Sequence, residues 1–233
     1  MAFVLPPPPT VGVPVHGTSD LFAVRRIYCV GRNYAAHARE MGGDPDREPP
    51  FFFAKPTDAI VVAPDVNNPV KIPFPPVTKN LHHEMELVVA IGKAGADVPV
   101  DKALDYAWGY AAGLDMTRRD IQNAARDKGR PWDMGKGFDN AAPIGVIYRA
   151  TEIGHPSKGE IKLDVSGKTK QHANLDALIW DVAETISYLS GLVTLGVGDL
   201  IYTGTPEGVG PVVKGDTLIG HVEGCGSVAI QYV

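Results

Sequence analysis

The stretch LHHEMELVVAIG at residues 81–92 decides how this chain folds. Its unbroken apolar run at 87–91 is typical of a strand that is buried on both faces. Four of the five residues at 82–86 are nevertheless ionisable, directly in front of that run. The stretch therefore predicts a strand that carries charged side chains to the edge of the core, and with them a functional site.

Two of these residues, Glu84 and Glu86, project from the same face of the predicted strand, because alternate side chains of a strand share a face. Two like charges at this spacing repel each other and are costly to bury. Either a proton or a basic partner neutralises one of them, or both bind a cation, or the strand begins at the surface and both are solvated. Ligands that are all oxygens suit a hard ion such as Mg²⁺, Mn²⁺ or Ca²⁺.

A third carboxylate, Asp115, follows the apolar segment GYAAGL at 109–114. Together with Glu84 and Glu86 it would leave three positions of an octahedral ion open, which is typical of a catalytic metal centre. Asp115 is also a candidate N-cap for a helix over DMTRRDIQ. His82 and His83 together with a Glu offer a zinc site as an alternative, but consecutive residues of a strand point to opposite faces, so that both histidines cannot easily bind one ion.

A candidate base lies earlier in the chain, in a helix predicted over residues 33–42. His37 and Glu40 are three residues apart and therefore share a face of that helix. A carboxylate bonded to one imidazole nitrogen raises the basicity of the other, and such a pair is able to activate water. An exposed helical pair without any catalytic role would have the same spacing.

The composition restricts the classes of protein to consider. The chain has 233 residues and a net charge of −5, so we expect no nucleic acid partner. No apolar run approaches the roughly 20 residues that span a bilayer, and we expect no membrane partner. The two cysteines, Cys29 and Cys225, are far apart and are expected to be reduced, as in a cytoplasmic protein.

The order of the predicted elements indicates a fold that is mostly β (α+β), like a sandwich or barrel, with a few helices. The 26 glycines and 20 prolines predict many turns between short strands. A hairpin is predicted over EIKLDVSGKTKQ at 160–171, and one long helix over 175–195. We expect an extended N-terminal arm at 1–20 and a single catalytic domain at 21–233.

Six blocks of sequence, taken in order, resemble those of a known family. They are GRNYAAHAREMG (31–42), FFFAKPTDAI (51–60), NLHHEMELVVAIGK (80–93), GYAAGLDMTRRDIQ (109–122), GRPWDMGKGFDNAAPIG (129–145) and GDLIYTGTPEGVGPVVKGD (198–216). From about Arg26 to the C-terminus the chain resembles the fumarylacetoacetate hydrolase family, in particular its small acylpyruvate-hydrolysing branch. The resemblance implies a mixed β-sandwich roll of the family's C-terminal-domain type, a homodimer, and one Mg²⁺ or Mn²⁺ per chain.

The resemblance also implies roles for nine residues of this sequence. They comprise three metal ligands, a catalytic dyad, two residues that serve both catalysis and substrate binding, and two that bind the pyruvoyl end of the substrate: Glu84, Glu86 and Asp115; His37 and Glu40; Lys136 and Gln122; Arg119 and Thr205. The stretch at 151–175 is less similar to the family, and in relatives it lies near the substrate mouth. The acyl group of the substrate therefore stays open.

The implied reaction is metal-dependent hydrolysis of the C–C bond of an acylpyruvate, a small oxoacid. We expect fumarylpyruvate as the substrate, and fumarate and pyruvate as products, in the breakdown of gentisate and related aromatic compounds. Decarboxylation of oxaloacetate and isomerisation of 2-hydroxyhepta-2,4-diene-1,7-dioate are alternatives on the same three carboxylates. A non-catalytic, cupin-like barrel with structural Ca²⁺ is an alternative of another class, although HHEME does not fit the H-x-H motif of cupins.

Overall fold

A computed structural model describes residues 3–40 and 48–233, and in its first helix the side chains as far as His37. The described part contains eighteen strands and six α-helices. The strands are β1 Gly12–Pro14, β2 Leu21–Ala23, β3 Arg26–Gly31, β4 Phe51–Lys55, β5 Ile60–Val62, β6 Val70–Ile72, β7 Leu81–His83, β8 Met85–Ile91, β9 Ala107–Leu114, β10 Thr117–Arg118, β11 Ala142–Ile144, β12 Tyr148–Arg149, β13 Glu160–Val165, β14 Lys168–Asn174, β15 Asp199–Tyr202, β16 Gly210–Val212, β17 Thr217–Val222 and β18 Gly226–Tyr232. The helices are α1 Ala35–Glu40, α2 Val100–Ala103, α3 Arg119–Arg126, α4 Asp133–Lys136, α5 Ala150–Ile153 and α6 Val182–Leu192.

The largest sheet has eight strands and is centred on β8. Its order is β4-β3-β15-β8-β9-β11-β5, with β12 paired to β9 at the side. Strands β8 and β9 are antiparallel, and Glu86 lies opposite Gly113 in their register. Every residue of β8 is buried, which confirms the strand predicted from its unbroken apolar run.

A five-stranded sheet, β14-β13-β17-β18-β6, covers one face of the large sheet. Strands β13 and β17 contact β8, and β17 and β18 contact β9. The two layers approach closely at Gly220 of β17, where an added Cβ would lie 2.3 Å from Met85 Sδ. The core lies between these layers, and the predicted mixed β-sandwich roll is confirmed.

The hairpin predicted over residues 160–171 is confirmed as β13 and β14. Ser166 and Gly167 connect the two strands with φ angles of 48° and 76°. Two consecutive residues with positive φ are typical of the type I′ turn, whose twist matches that of the flanking strands. Most of β14 is exposed, but Gln171 in its middle is fully buried.

The long helix predicted over 175–195 is wrong at its start, because α6 begins only at Val182. Asp181 caps the helix: its carboxylate accepts from Glu184 N at 2.8 Å, and the Glu184 carboxylate accepts from Asp181 N at 3.1 Å. The preceding Trp180 donates its backbone N–H to Asn33 Oδ1 at 2.8 Å. This tertiary bond holds the chain out of the helical conformation, and nothing in the local pattern predicts it.

The described N-terminal segment joins the body of the molecule through β1, which pairs with β2. Val13 and Val15 of this segment are buried. The division of the chain at residue 20 stays a prediction. Cys29 and Cys225 are both free and buried. Among the described helices, none has the length and apolar character needed to cross a membrane.

Candidate metal centre and active site

Three carboxylates meet where β8 begins and β9 ends. Glu84 directly precedes β8, Glu86 lies within it, and Asp115 directly follows β9. The backbone N–H of Asp115 donates to Glu84 O at 2.8 Å, which fixes the two chain segments side by side. One oxygen of each carboxylate lies within 4.8 Å of the others, and all three residues are buried. The alternative of Asp115 as an N-cap is wrong, because α3 begins four residues later.

Lys136, at the end of α4, bridges this group of carboxylates. Its ammonium donates to Glu84 Oε2, Asp115 Oδ2 and Thr117 Oγ1, each at 2.7 Å. Lys136 is only 2% exposed, so water does not compete for these bonds. All three N–H bonds of the ammonium are therefore engaged with oxygens of the protein.

Two further cations approach the carboxylates from the sides. Lys55, at the end of β4, places Nζ 2.7 Å from Asp115 Oδ1. Arg119, at the start of α3, donates to Glu84 Oε1 and, at 2.5 Å, to Gln122 Oε1. Lys55 was missed in the sequence, although it lies in the FFFAKP block, because nothing local indicates that a lysine at a strand end turns inward.

The electrostatic environment separates the two glutamates. Burial acts to raise the pKa of Glu84, but the Lys136 ammonium and the Arg119 guanidinium outweigh it and hold that pKa below its ordinary value. Burial, together with the charges of Asp115 and Glu84, raises the pKa of Glu86 well above its ordinary value. Glu86 is therefore the carboxylate whose negative charge the surrounding protein compensates least.

The donor set fits a hard divalent cation. It consists of three carboxylates and contains no nitrogen or sulfur ligand among the described residues. Mg²⁺ and Mn²⁺ prefer such oxygen ligands. A divalent ion would also supply the charge compensation that Glu86 lacks.

The histidines next to the three carboxylates in the sequence have other hydrogen-bond partners. His82 Nε2 lies 2.9 Å from Asn80 Oδ1, and His83 Nδ1 lies 3.0 Å from Gln171 Oε1. Neither histidine belongs to the group of potential metal ligands found in the described part of the chain. The zinc alternative at His82 and His83 is therefore not supported.

A cavity of about 40 Å³ opens beside the two glutamates. Its lining contains seven of the nine residues for which the sequence implied a role: His37, Glu84, Glu86, Arg119, Gln122, Lys136 and Thr205. Other parts of the wall come from Val30, Gly31, Arg32, Phe51, Phe53, Arg126 and Trp132. Asp115 is fully buried behind this wall.

The predicted dyad lies on α1, at the side of the cavity. His37 is buried and lines the cavity, so its imidazole is close to the carboxylate group. The helix predicted over 33–42 is confirmed for Ala35–Glu40, and residues 41 and 42 lie outside the described part. The side chain of Glu40 also lies outside it, so the contact between His37 and Glu40 stays a prediction.

Gln171 is a residue of this site that the sequence did not indicate. Its Oε1 accepts from Met85 N and pairs with His83 Nδ1, both at 3.0 Å. Its Nε2 donates to Thr205 Oγ1 and Pro206 O, both at 2.8 Å. One amide thus ties β14 to the residue between the two glutamates and to the cavity wall at Thr205. Only the folded hairpin brings Gln171 there, so no local signal reveals it.

Asn33 is a second such residue, and it holds the chain that enters α1. Its Nδ2 donates to Trp180 O at 2.9 Å and to Thr203 O at 2.8 Å. Just before it, Arg32 has a φ of 57°, in the left-handed region that side chains other than glycine rarely adopt. The bonds of Asn33 fix this backbone, and with it the position of Arg32 in the cavity wall.

Comparison with known proteins relates this chain to named enzymes. A family model described as fumarylacetoacetate (FAA) hydrolase C-terminal matches residues 26–232. A fumarylpyruvate hydrolase from a Ralstonia species is 48% identical over 187 residues, which cover 80% of this chain and 94% of that protein. A mitochondrial oxaloacetate decarboxylase from Dictyostelium discoideum is 43% identical over 194 residues, 83% of this chain and 87% of that protein.

A solved structure is similar over the whole length of the chain. It is the crystal structure of fumarylpyruvate hydrolase from Pseudomonas aeruginosa in complex with Mn²⁺ and pyruvate, with a TM-score of 0.97 and 52% identity. The match covers 100% of this chain and 99% of that one. The likeness therefore extends to every element that surrounds the three carboxylates.

Proposed function

This chain belongs to the fumarylacetoacetate hydrolase family, and we propose that it hydrolyses the C–C bond of an acylpyruvate, with fumarylpyruvate as its substrate. The observation that carries the proposal is the position of His37. This histidine lines the same cavity as Glu84 and Glu86, so that a candidate base for water and a candidate metal centre face one cavity. The products would be fumarate and pyruvate.

We assign Glu84, Glu86 and Asp115 to one Mg²⁺ or Mn²⁺ per chain. When bound, such an ion supplies Lewis-acid stabilisation of the negative charge on the pyruvoyl oxygens of the substrate. The Mn²⁺ and pyruvate present together in the Pseudomonas aeruginosa protein support this assignment. The ligand assignment itself is a proposal about this chain, as is the choice between the two ions.

His37 takes the first step by removing a proton from water, which then attacks the distal acyl carbonyl carbon. The C–C bond breaks, its electron pair leaves with the pyruvoyl group as an enolate, and the proton on His37 is available to the enolate carbon. Glu40 is expected to orient the imidazole from the far side. Arg119 and Thr205 hold the pyruvoyl end.

Lys136 and Gln122 provide hydrogen-bond donors for the oxyanion that develops on the attacked carbonyl. Because Lys136 already makes three bonds to the protein, an oxyanion has to replace one of its acceptors. Thr117 is the uncharged acceptor among the three, and its bond is the least costly to exchange, since bonds to ionised oxygens are stronger. Thr117 is thus the acceptor of the third N–H bond of Lys136 in the absence of substrate, and the oxyanion would take its place.

Oxaloacetate decarboxylation is the second candidate, and the likeness to the Dictyostelium discoideum decarboxylase favours it. It would use the same three carboxylates without an attacking water, as would isomerisation of a 2-hydroxydienoate. The histidine in the cavity wall favours hydrolysis over both, because only hydrolysis requires a base for water. The gentisate pathway, the homodimer and the cytoplasmic location stay predictions.

Oxygen labelling separates the three reactions. The chain would be incubated in H₂¹⁸O with Mn²⁺ and one of fumarylpyruvate, oxaloacetate and 2-hydroxyhepta-2,4-diene-1,7-dioate, and the products analysed by mass spectrometry. Hydrolysis places a solvent oxygen in the carboxylate of fumarate, decarboxylation releases CO₂, and isomerisation gives a single product that keeps the whole carbon skeleton of its substrate. Turnover of oxaloacetate with none of fumarylpyruvate would contradict the proposal.

A further inference from the structure

The cavity has two halves that differ in burial. We call the buried part, which contains Glu84, Glu86 and Lys136, the inner half. The outer half is the mouth, where Arg32 and Arg126 contribute to the lining and are themselves exposed. The two arginines therefore lie where the part of a substrate farthest from the carboxylates would emerge.

The charges that line the cavity are unequal. Four cationic side chains, Arg32, Arg119, Arg126 and Lys136, face two carboxylates, Glu84 and Glu86, among the described lining residues. Lys136 and Arg119 are both bonded to Glu84, and Glu86, the second carboxylate of the lining, also lies in the inner half. No described carboxylate of the lining therefore belongs to the outer half.

Arg126 is directed to the cavity by the helix that carries it. Arg119, Gln122 and Arg126 follow one another at three and four residues along α3, so they share one face. All three line the cavity. The ion pair of Arg126 is with its chain neighbour Asp127, whose side chain is 65% exposed, and such surface pairs contribute little and exchange readily.

Arg32 lines the same cavity from a different segment, the turn between β3 and α1. Its left-handed φ costs free energy, and such residues persist where the surrounding structure fixes them and cluster at functional sites. Here Asn33 fixes the backbone through its bonds to Trp180 and Thr203. Within the described part of the chain, the guanidinium of Arg32 has no acidic partner.

Aromatic rings form another part of the cavity wall. Phe51 and Phe53 lie against Trp132, with ring centroids 5.5 and 6.0 Å apart. The same three residues also line a neighbouring cleft of about 360 Å³. Aromatic side chains in a cavity wall offer apolar contact area to a flat, conjugated group.

We propose that Arg32 and Arg126 form a subsite for a second carboxylate, at the far end of a planar acyl group, and that they select dicarboxylate substrates. The inference rests on the proposed acylpyruvate hydrolysis and specifies its substrate class. The guanidinium fork matches a carboxylate with two parallel hydrogen bonds, which gives both affinity and orientation. A neutral acyl group leaves both guanidinium groups without this partner.

The test compares fumarylpyruvate, which carries the second carboxylate, with acetylpyruvate, which does not. In Arg126→Gln and in Arg32→Gln, the ratio of kcat/KM for fumarylpyruvate to that for acetylpyruvate should fall by about tenfold or more, mainly through KM, as expected for the loss of a charge-assisted hydrogen bond. Arg126→Lys and Arg32→Lys should restore part of the ratio. Lys128→Gln removes a charge from the same segment outside the cavity lining and should leave the ratio unchanged.

An unchanged ratio in both glutamine variants would overturn the subsite, as would an equal change in Lys128→Gln. If the wild-type chain hydrolysed neither compound, the proposed function would be wrong, and calorimetric binding of the same two compounds with Mn²⁺ would then decide about the arginines. Tighter binding of fumarylpyruvate that is lost in the glutamine variants supports the subsite. Equal affinities in the wild type would overturn it.

Discussion

The inner and outer halves of the cavity hold their charged side chains in opposite ways. In the inner half, Glu84 is bonded to Lys136 and Arg119, and the groups are removed from water. In the outer half, Arg126 pairs with an exposed chain neighbour, and Arg32 has no acidic partner among the described residues. Apart from Glu86, which the proposed ion would compensate, the inner charges are thus paired before any ligand binds, whereas the outer arginines have no buried acidic partner among the described residues.

This difference indicates a division of function. A group that has to stabilise developing charge gains most from fixed partners in a site without water, because no reorganisation is needed during the reaction. A group that discriminates between substrates gains most when its partner is the substrate itself, since a wrong substrate then leaves it unpaired. We therefore expect substitutions in the inner half to abolish turnover and those in the outer half to change selectivity.

The largest effect is expected from Glu86→Gln. Glutamine keeps the shape and an acceptor for Gly204 N, which lies 2.7 Å from Glu86 Oε2, but removes the negative charge. Turnover should fall by about a thousandfold or more with the loss of the metal. The melting temperature without metal should not fall, because burial and the neighbouring carboxylates already raise the pKa of Glu86.

Electron paramagnetic resonance of added Mn²⁺ measures the first effect, and thermal unfolding in chelator measures the second. Glu152→Gln is the control, because Glu152 is an exposed carboxylate that pairs with Arg149 at 3.3 Å and does not line the cavity. Wild-type Mn²⁺ affinity in Glu86→Gln would show that the inner half does not hold the ion through this residue.

His37→Asn should have the next largest effect on turnover, and the loss should be specific to this histidine. Removal of the base for water should lower fumarylpyruvate hydrolysis by about a hundredfold or more. His82→Asn is the matched control, since His82 is close to Glu84 in the sequence but bonds to Asn80 and does not line the cavity. Equal losses in the two variants, measured by ¹⁸O incorporation, would remove the special role of His37.

Gln171→Leu tests whether the inner half depends on its supporting bonds. Its amide holds the Met85 backbone between the two glutamates, and loss of such support to metal ligands costs about 10- to 100-fold in metal affinity. Ser190→Ala is the control for buried hydrogen bonds as such, because Ser190 Oγ accepts from Val98 N at 2.8 Å, away from the cavity lining. If Mn²⁺ titrations give equal affinities for both variants, Gln171 contributes to stability alone.

The sequence was most informative where function follows from local geometry. The period of two along β8 places Glu84 and Glu86 on one face, and the apolar run behind them predicts the rigid strand that carries them. Asp115 could be added because it also ends an apolar run. All three carboxylates were found without any knowledge of the fold.

The residues that were missed depend on contacts between distant parts of the chain. Gln171 reaches Met85 only when the hairpin folds over β8, and Lys55 meets Asp115 only at the end of a different strand. The same holds for Trp180, whose bond to Asn33 excludes the helical start that local periodicity favours. Periodicity predicts which face a side chain is on, but not which distant segment covers that face.

The smallest effect is expected from a substitution of Asp120, at the start of α3, the helix that contributes an arginine to each half. The Asp120 carboxylate accepts from Thr78 Oγ1 at 2.6 Å and from Lys79 N at 2.8 Å, which anchors the helix that carries both Arg119 and Arg126. Although partial burial opposes it, these bonds lower the pKa of Asp120 below its ordinary value of 3.8. The unfolded chain therefore takes up a proton before the folded one does, and the stabilisation is lost as the pH falls through this range.

Asp120→Asn should accordingly lower the melting temperature by only about 1–3 °C at pH 7 and reduce its decline between pH 5 and pH 3. Asp164→Asn is the control for the loss of any aspartate with a lowered pKa. Asp164 has such a pKa but lies on β13, outside the cavity lining. Because α3 carries one arginine of each half, Asp120→Asn should change kcat/KM for fumarylpyruvate and acetylpyruvate by the same small factor. A change in their ratio would mean that the anchor of α3 acts on the outer half alone, and the two halves would then not share this helix as a rigid support.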